Sequence, residues 1–181
     1  AVKSKHTLND EQALALDHIT AGANLACVVG FAGSGKSYLL KAAREVWEAK
    51  GLRVHGVALS GIAAQNLEAS SGIVSRTFAS RQWYWERDKE HLGAEDVIVV
   101  DEAGMLSSEQ MALVVSEVER ANAKLILVGD PEQLQAINAG AAFRGIVDRV
   151  GASELNHIFR QKEAWQQDAT RDFAQKQTAR A

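Results

Sequence analysis

Residues 30–37 read Gly-Phe-Ala-Gly-Ser-Gly-Lys-Ser and stand between an apolar run, Leu25–Val29, and a stripe of Leu39, Ala42, Ala43 and Val46 at helical spacing. Gly30, Gly33 and Gly35 allow backbone conformations closed to other residues. A buried strand, a tight turn and a helix must therefore follow one another here. The turn fills every fixed position of GxxxxGK[ST], and that pattern in this context curls successive N–H groups inward toward an anion. The helix N-terminus adds its positive dipole end. Gly30, Ala32, Gly33, Ser34 and Gly35 thus read as a phosphate cradle. Lys36 is placed for the β- and γ-phosphates of a nucleotide, Ser37 for a magnesium ion, and Tyr38 follows next to the bound nucleotide.

The rest of the chain repeats the same alternation. Val54–Ala58, Val97–Val100 and Leu125–Val128 are nearly continuous in apolar residues, as strands covered on both faces must be, and a weaker run lies near Ser153–Leu155. Helices separate them. Gly51 stops the first, Ser107 and Gln110 make a capping-box pair before Met111, Val114, Val115 and Val118, and Gly151 closes the stripe Phe143, Ile146, Val147 and Val150. The expected fold is α/β, a parallel sheet with helices on both faces, and ligands in such folds sit beyond the carboxyl ends of the strands.

Val97–Val100 ends in Asp101-Glu102. The first carboxylate is placed to hold magnesium, usually through water, and the second to orient and deprotonate an attacking water. A glutamate in that place favours hydrolysis over transfer to a metabolite. It also argues against a non-catalytic nucleotide-dependent binding module, which has no use for a positioned base.

Composition sets limits. At 181 residues the chain is expected to form one domain, residues 1–160, with a helical appendage over 161–181. Net charge is −3 and the pI about 6.0, so any nucleic-acid contact must come from a local groove rather than a global basic field. The single cysteine, Cys27, lies in an apolar run and is expected to be a buried, reduced thiol; a reactive role is the alternative. No apolar run approaches a membrane span and no secretory core is seen at the start, which suggests a cytoplasmic chain without membrane association. Ala1 in place of Met hints at a longer polypeptide.

Further strings carry a resemblance. Leu8-Asn9-Asp10-Glu11-Gln12 resembles the Q motif of superfamily 1 DNA helicases, in which the glutamine reads adenine, although Asn9 and Gln12 also stand at capping-box spacing. Leu127–Leu134, with Gly129-Asp130-Pro131-Glu132-Gln133, resembles helicase motif III, and Ile158-Phe159-Arg160-Gln161 resembles motif IV. The resemblance implies that Gln133 and Arg160 act at the γ-phosphate, while Gln133 also sits at capping distance from Asp130. Val57–Ala64 is similar to motif Ia, and Ser75–Ser80 to the DNA-contacting motif of RecD-like helicases, with Ala79 where that family often has histidine. Ser60, Gly61, Ala64, Thr77 and Arg81 are the implied contacts to single-stranded DNA. Arg76, Arg81, Trp83, Tyr84, Trp85 and Arg87 interleave basic and aromatic side chains, which suits either base stacking or plain packing.

Together with Asp101–Met105, Gly140–Arg144 and Trp165, these strings resemble the conjugative relaxase–helicases of the MobA/TraA family across nearly the whole chain. The resemblance implies a RecA-like P-loop NTPase using ATP and Mg²⁺ to translocate 5′ to 3′ on DNA. It implies partners within a longer polypeptide: an N-terminal nickase domain and a second RecA-like domain. No nickase histidine triad occurs here, and Tyr38 and Tyr84 both fall in helicase strings. A RecD-like repair helicase is the alternative; a small-molecule kinase is disfavoured by the motif Ia and motif III strings. The 181 residues alone are expected to bind Mg–ATP, turn it over slowly and unwind nothing.

Overall fold

The apolar runs all become strands of one parallel sheet in the computed structural model, which describes residues 6–31, 33–130 and 141–156. The strands are β1 (Leu25–Gly30), β2 (Arg53–Ala58), β3 (Ser75–Thr77), β4 (Asp96–Val100), β5 (Lys124–Gly129) and β6 (Ser153–Leu155). Their order is β3-β2-β4-β5-β1-β6, and every pairing is parallel. The helices are α1 (Asp10–Thr20), α2 (Lys36–Ala49), α3 (Gly61–Ser71), α4 (Phe78–Trp85), α5 (Ser108–Ala121) and α6 (Ala141–Val150), with a single 3₁₀ turn at Ala103–Met105.

Side chains alternate across a strand, so each β-run feeds two cores. On one face Ala26, Val28, Val97, Val99, Ile126 and Val128 pack with Leu16 and Ile19 of α1, Leu39, Ala43 and Trp47 of α2 and Leu67 of α3. On the other, Cys27, Val57, Ile98, Val100, Leu125 and Leu127 pack with Phe78, Met111, Val114 and Phe143. Helices on both faces are the expected arrangement, and the fold is the RecA-like P-loop fold.

The helix signals also hold. Ser107 accepts from the Gln110 N–H at 3.1 Å and its own N–H donates to Gln110 Oε1 at 2.9 Å. Gly51 and Gly151 take φ of 81° and 77°, the left-handed conformation that ends a helix. Burial pushes the Cys27 thiol up to about 11. That agrees with an inert core thiol.

The expectations contained no β3. Its three residues are polar and half-buried, so no apolar run announces it. It pairs with β2 because Gly56 has no side chain: a Cβ there would overlap the Ser75 hydroxyl and meet Leu67 at 2.9 Å.

Candidate nucleotide site and the neighbouring groove

Gly33 and Gly35 adopt φ of 86° and 84°, a region that costs any other L-residue roughly 1–2 kcal/mol. The turn between β1 and α2 thus closes as the glycines dictate, and the Leu39 N–H already donates to Gly35 O at 3.1 Å as the helix begins. Lys36 bends back over the turn and its Nζ donates to Gly30 O at 2.6 Å and Phe31 O at 2.8 Å. Ser34 lies beneath, 1% exposed; a Cβ on Gly30 would stand 2.6 Å from its Oγ. Gly30 therefore leaves room for the loop's own hydroxyl, while Gly33 and Gly35 shape the open side.

β4 delivers the acids. Asp101 follows its last residue, and the Asp101 Oδ1 accepts from the Glu102 N–H at 2.9 Å. Glu102 sits at φ 54°, ψ 38°, a left-handed conformation for a non-glycine that costs on the order of 1–3 kcal/mol and often marks functional sites. Gly104 and Gly129 explain what holds it there. A Cβ on Gly104 would stand 2.7 Å from Asp130 O, and one on Gly129 would stand 3.1 Å from Ala103 N. The acidic turn and the end of β5 approach closely because both positions lack side chains.

Gly33, Gly35, Lys36, Ser37, Tyr38, Asp101, Glu102, Gly129 and Asp130 line one open cleft of about 840 Å³, beyond the carboxyl edge of the sheet. Burial pushes the Asp101 carboxyl above the usual carboxylate range, opposed by the Glu102 N–H and the Lys36 charge. Burial and then the Asp101 charge push Glu102 up as well, again opposed by Lys36. Lys36 and the two acids thus feel one another across the cleft.

The segment before α1 docks beside this cleft. The Thr7 N–H donates to Tyr38 Oη at 3.2 Å, the His6 ring meets Tyr38 edge-on at 5.6 Å, and His6 Nε2 lies 3.2 Å from Glu45. Gln12 is 3% exposed. Its Oε1 accepts from the Asn9 N–H at 3.2 Å while Asn9 Oδ1 accepts from the Gln12 N–H at 2.8 Å. The capping box is therefore formed. Ala32, Gln133 and Arg160 lie outside the described residues.

The implied DNA contacts divide. Gly61, Ala64 and Thr77 line a second groove of about 360 Å³ with Gln65, Glu68, Ser75 and Arg76. Ser60 and Thr77 cap α3 and α4, accepting from the Ala63 and Ser80 N–H groups at 3.1 and 3.2 Å. Arg81 must be corrected as a surface contact: it is 6% exposed, with Glu90 3.6 Å from its guanidinium. Trp85, 5% exposed, is a core residue. Trp83 is 47% exposed with the Arg87 guanidinium 4.2 Å from its ring centroid, and Arg76 stands 4.9 Å from Tyr84. Of the aromatics in this string, Trp83 is exposed and Tyr84 half-buried.

Sequence reasoning missed Asn66, Ala69 and Ser70 of α3, which also line the cleft that holds Lys36 and Asp101. No motif marks them. Asn66 and Ser70 stand four apart, one helical turn, on a helix that no apolar stripe announced.

The family model described as an AAA domain matches residues 7–181. The chain belongs to the AAA domain family. This AAA domain is 52% identical over 175 residues to the probable conjugal transfer protein TraA of Sinorhizobium fredii, a match covering 96% of this chain and 16% of that protein. It is 31% identical over 163 residues to the ATP-dependent RecD2 DNA helicase of Deinococcus radiodurans, covering 88% of this chain and 22% of that one. Among solved structures it resembles the Pif1 helicase from Candida albicans, with a TM-score of 0.70 at 19% identity over 93% of this chain and 44% of that one. Bacteroides sp. Pif1 in complex with ADP-AlF4 gives 0.61 at 20% identity, over 92% and 46%. At these identities the structures establish the fold alone. The chain spans less than a quarter of the length of each curated relative named here. It is a helicase-like domain, and among the described residues no helix is long and apolar enough to cross a membrane.

Proposed function

We propose that this AAA domain is the ATP-binding motor domain of a DNA helicase, and that it works within a longer conjugative protein to unwind plasmid DNA for transfer. The observation that carries this reading is the shared cleft: Lys36 and Ser37 from one strand end and Asp101 and Glu102 from another line a single space.

The donors suit a nucleotide and magnesium. Two glycines with positive φ open the cradle, and the cleft is of ligand size. Among the described residues no group of three or more His, Cys, Asp or Glu could hold a metal by itself. Magnesium takes few protein ligands and leans on phosphates and water. Ser37 and Asp101 would hold it, and its charge would offset that of the phosphates. Lys36 leaves the Gly30 and Phe31 carbonyls for the β- and γ-phosphates, and the main-chain N–H groups of Gly33–Lys36 take the remaining oxygens. Glu102, whose carboxyl burial and the Asp101 charge push above its usual range, accepts a proton from the water that attacks the γ-phosphorus. By resemblance, Gln133 and Arg160 complete the γ-phosphate surroundings, Gln12 reads adenine, and the groove at Gly61, Ala64 and Thr77 takes single-stranded DNA. A second RecA-like domain and an N-terminal nickase domain are the proposed partners in the same polypeptide.

Steady-state ATP hydrolysis by the full-length protein, with and without single-stranded DNA, tests the reading. Glu102→Gln should keep nucleotide binding and lose roughly 10²–10⁴-fold in turnover, the usual worth of a general base. Unchanged turnover in that variant would refute it. The likeness to RecD2 supports a second reading, a repair helicase with the same motor. Absence of any strand-nicking activity from the full-length polypeptide would favour it.

A further inference from the structure

α3 separates the two clefts. At about 100° per residue, Gly61, Gln65 and Glu68 fall on one flank of the helix and Asn66 and Ser70 on the other. Leu67 and Ser71, both buried, root it in the core between them. The first flank lines the groove beside β3 and the second lines the nucleotide cleft, while Ala69 lines both.

The helix is fixed at each end and unbroken between. Ser60 caps its start. At its finish Gly72 takes φ 74° and its carbonyl accepts from Arg44 Nη1 of α2 at 3.1 Å. Ser71 Oγ donates to Leu67 O at 2.6 Å and accepts from the Ile73 N–H at 3.2 Å. From Ile62 to Ser71 neither glycine nor proline interrupts it. A push on one flank therefore moves the other flank with it.

The chemistry of the nucleotide flank suits phosphate. Asn66 offers an amide with two donors and no charge. Ser70 Oγ donates to Asn66 O at 2.6 Å and Leu67 O at 3.3 Å, so its one hydrogen is held by the helix backbone and the side-chain donor on this flank is the Asn66 amide. Across the cleft stand Asp101, Glu102 and Asp130, so a neutral donor on α3 is the complement that does not compete with Lys36.

We infer that Asn66 is a nucleotide-contacting residue, and that α3 links occupancy of the nucleotide cleft to occupancy of the Gly61–Thr77 groove. This rests on the motor reading above, and places part of the coupling on a residue that no motif covers. Linkage then requires reciprocity: a strand in the groove changes nucleotide affinity by the same factor by which nucleotide changes strand affinity.

The test is titration of the full-length protein with a fluorescent ATP analogue plus magnesium, with and without saturating oligo(dT). Wild type should show a change in nucleotide affinity of about fivefold or more on adding the oligonucleotide. Asn66→Asp puts a carboxylate against the phosphates and should weaken nucleotide binding by about tenfold or more even at the dielectric of an open cleft. Asn66→Ala removes the amide and improves helix propensity, so its loss of affinity cannot be unfolding; its oligonucleotide effect should shrink toward unity. A role confined to helix stability would leave that ratio unmoved. The inference is overturned if the wild-type ratio is one, if Asn66→Asp binds as wild type does, or if Asn66→Ala keeps the full ratio. Lys36→Ala separates the two levels: if it fails to impair nucleotide binding, the motor reading itself falls, whereas impaired Lys36→Ala beside an unaffected Asn66→Asp removes only the role of α3.

Discussion

Glu102 carries two costs at once, a left-handed backbone and a carboxylate whose ionised form is disfavoured by burial and by Asp101. Residues held this way persist where function needs them rather than where folding does. Glu102→Asn should therefore stabilise the fold, because asparagine tolerates the left-handed region and the substitution removes the charge beside Asp101. A gain of about 1 kcal/mol is expected from the backbone relief, read by thermal or urea unfolding, together with loss of hydrolysis. A less stable Glu102→Asn would contradict the strain argument. Cys27 makes the opposite case: fully buried, with its thiol pushed up to about 11, it should resist thiol reagents in the folded protein at neutral pH. Labelling at the rate of a free thiol would place it on the surface instead.

Two contacts between elements matter, one for the aim of the site and one for stability. The first is the approach of the Ala103–Met105 turn to the end of β5, which Gly104 and Gly129 permit. Gly104→Ala would drive its methyl into Asp130 O and displace the turn that carries Glu102. A shift of about 1 Å can cost on the order of 10²-fold in rate, so hydrolysis should fall far more than nucleotide affinity. Equal losses in KM and kcat would instead indicate general disruption.

The second contact is at the amino end of β4. Asp96 is 3% exposed and accepts from Arg53 Nε at 2.7 Å, Arg53 Nη2 at 3.0 Å and the Gly93 N–H at 2.7 Å, with His55 Nε2 at 3.0 Å. Burial alone would raise its carboxyl; those partners outweigh it and hold the group at about 2. A depressed carboxylate contributes stability that is fully present above its unfolded value, about 3.9, and is lost as pH falls toward about 2. Asp96→Asn should cost roughly 1.5–3 kcal/mol at neutral pH, the worth of hydrogen bonds to a charged group, and should flatten the acid limb of stability against pH. An unaltered acid limb would show that Asp96 is not the group responsible.

For the molecule as a whole, a ligand that binds only the folded state stabilises it by mass action. At about a hundredfold excess over its dissociation constant, Mg–ATP should add roughly 2.7 kcal/mol, visible as a raised Tm. Lys36→Ala should abolish most of that rise while leaving the Tm without nucleotide nearly unchanged, because the Lys36 ammonium binds loop carbonyls rather than the core. A rise that survives Lys36→Ala would mean that the nucleotide binds elsewhere.

Gly33 and Gly35 determined the conformation of their turn, since glycine is what positive φ requires and the flanking periodicities leave only strand and helix. The apolar runs likewise determined that the strands are buried on both faces, and the capping pairs Asn9–Gln12 and Ser107–Gln110 set their helix starts. Other features were not readable: β3 has no apolar run, Arg81 looks like a surface cation until Phe78 and Trp85 place its helix against the core, and Asn66 and Ser70 belong to no motif. Only the tertiary structure decided that Lys36 and Ser37 meet Asp101 and Glu102. β1 and β4 are not neighbours; β5 lies between them. Their ends converge because every strand is parallel and all carboxyl ends share one edge. Strand order depends on which crossovers bury both faces at once, and that is a property of the packed sheet rather than of any one segment.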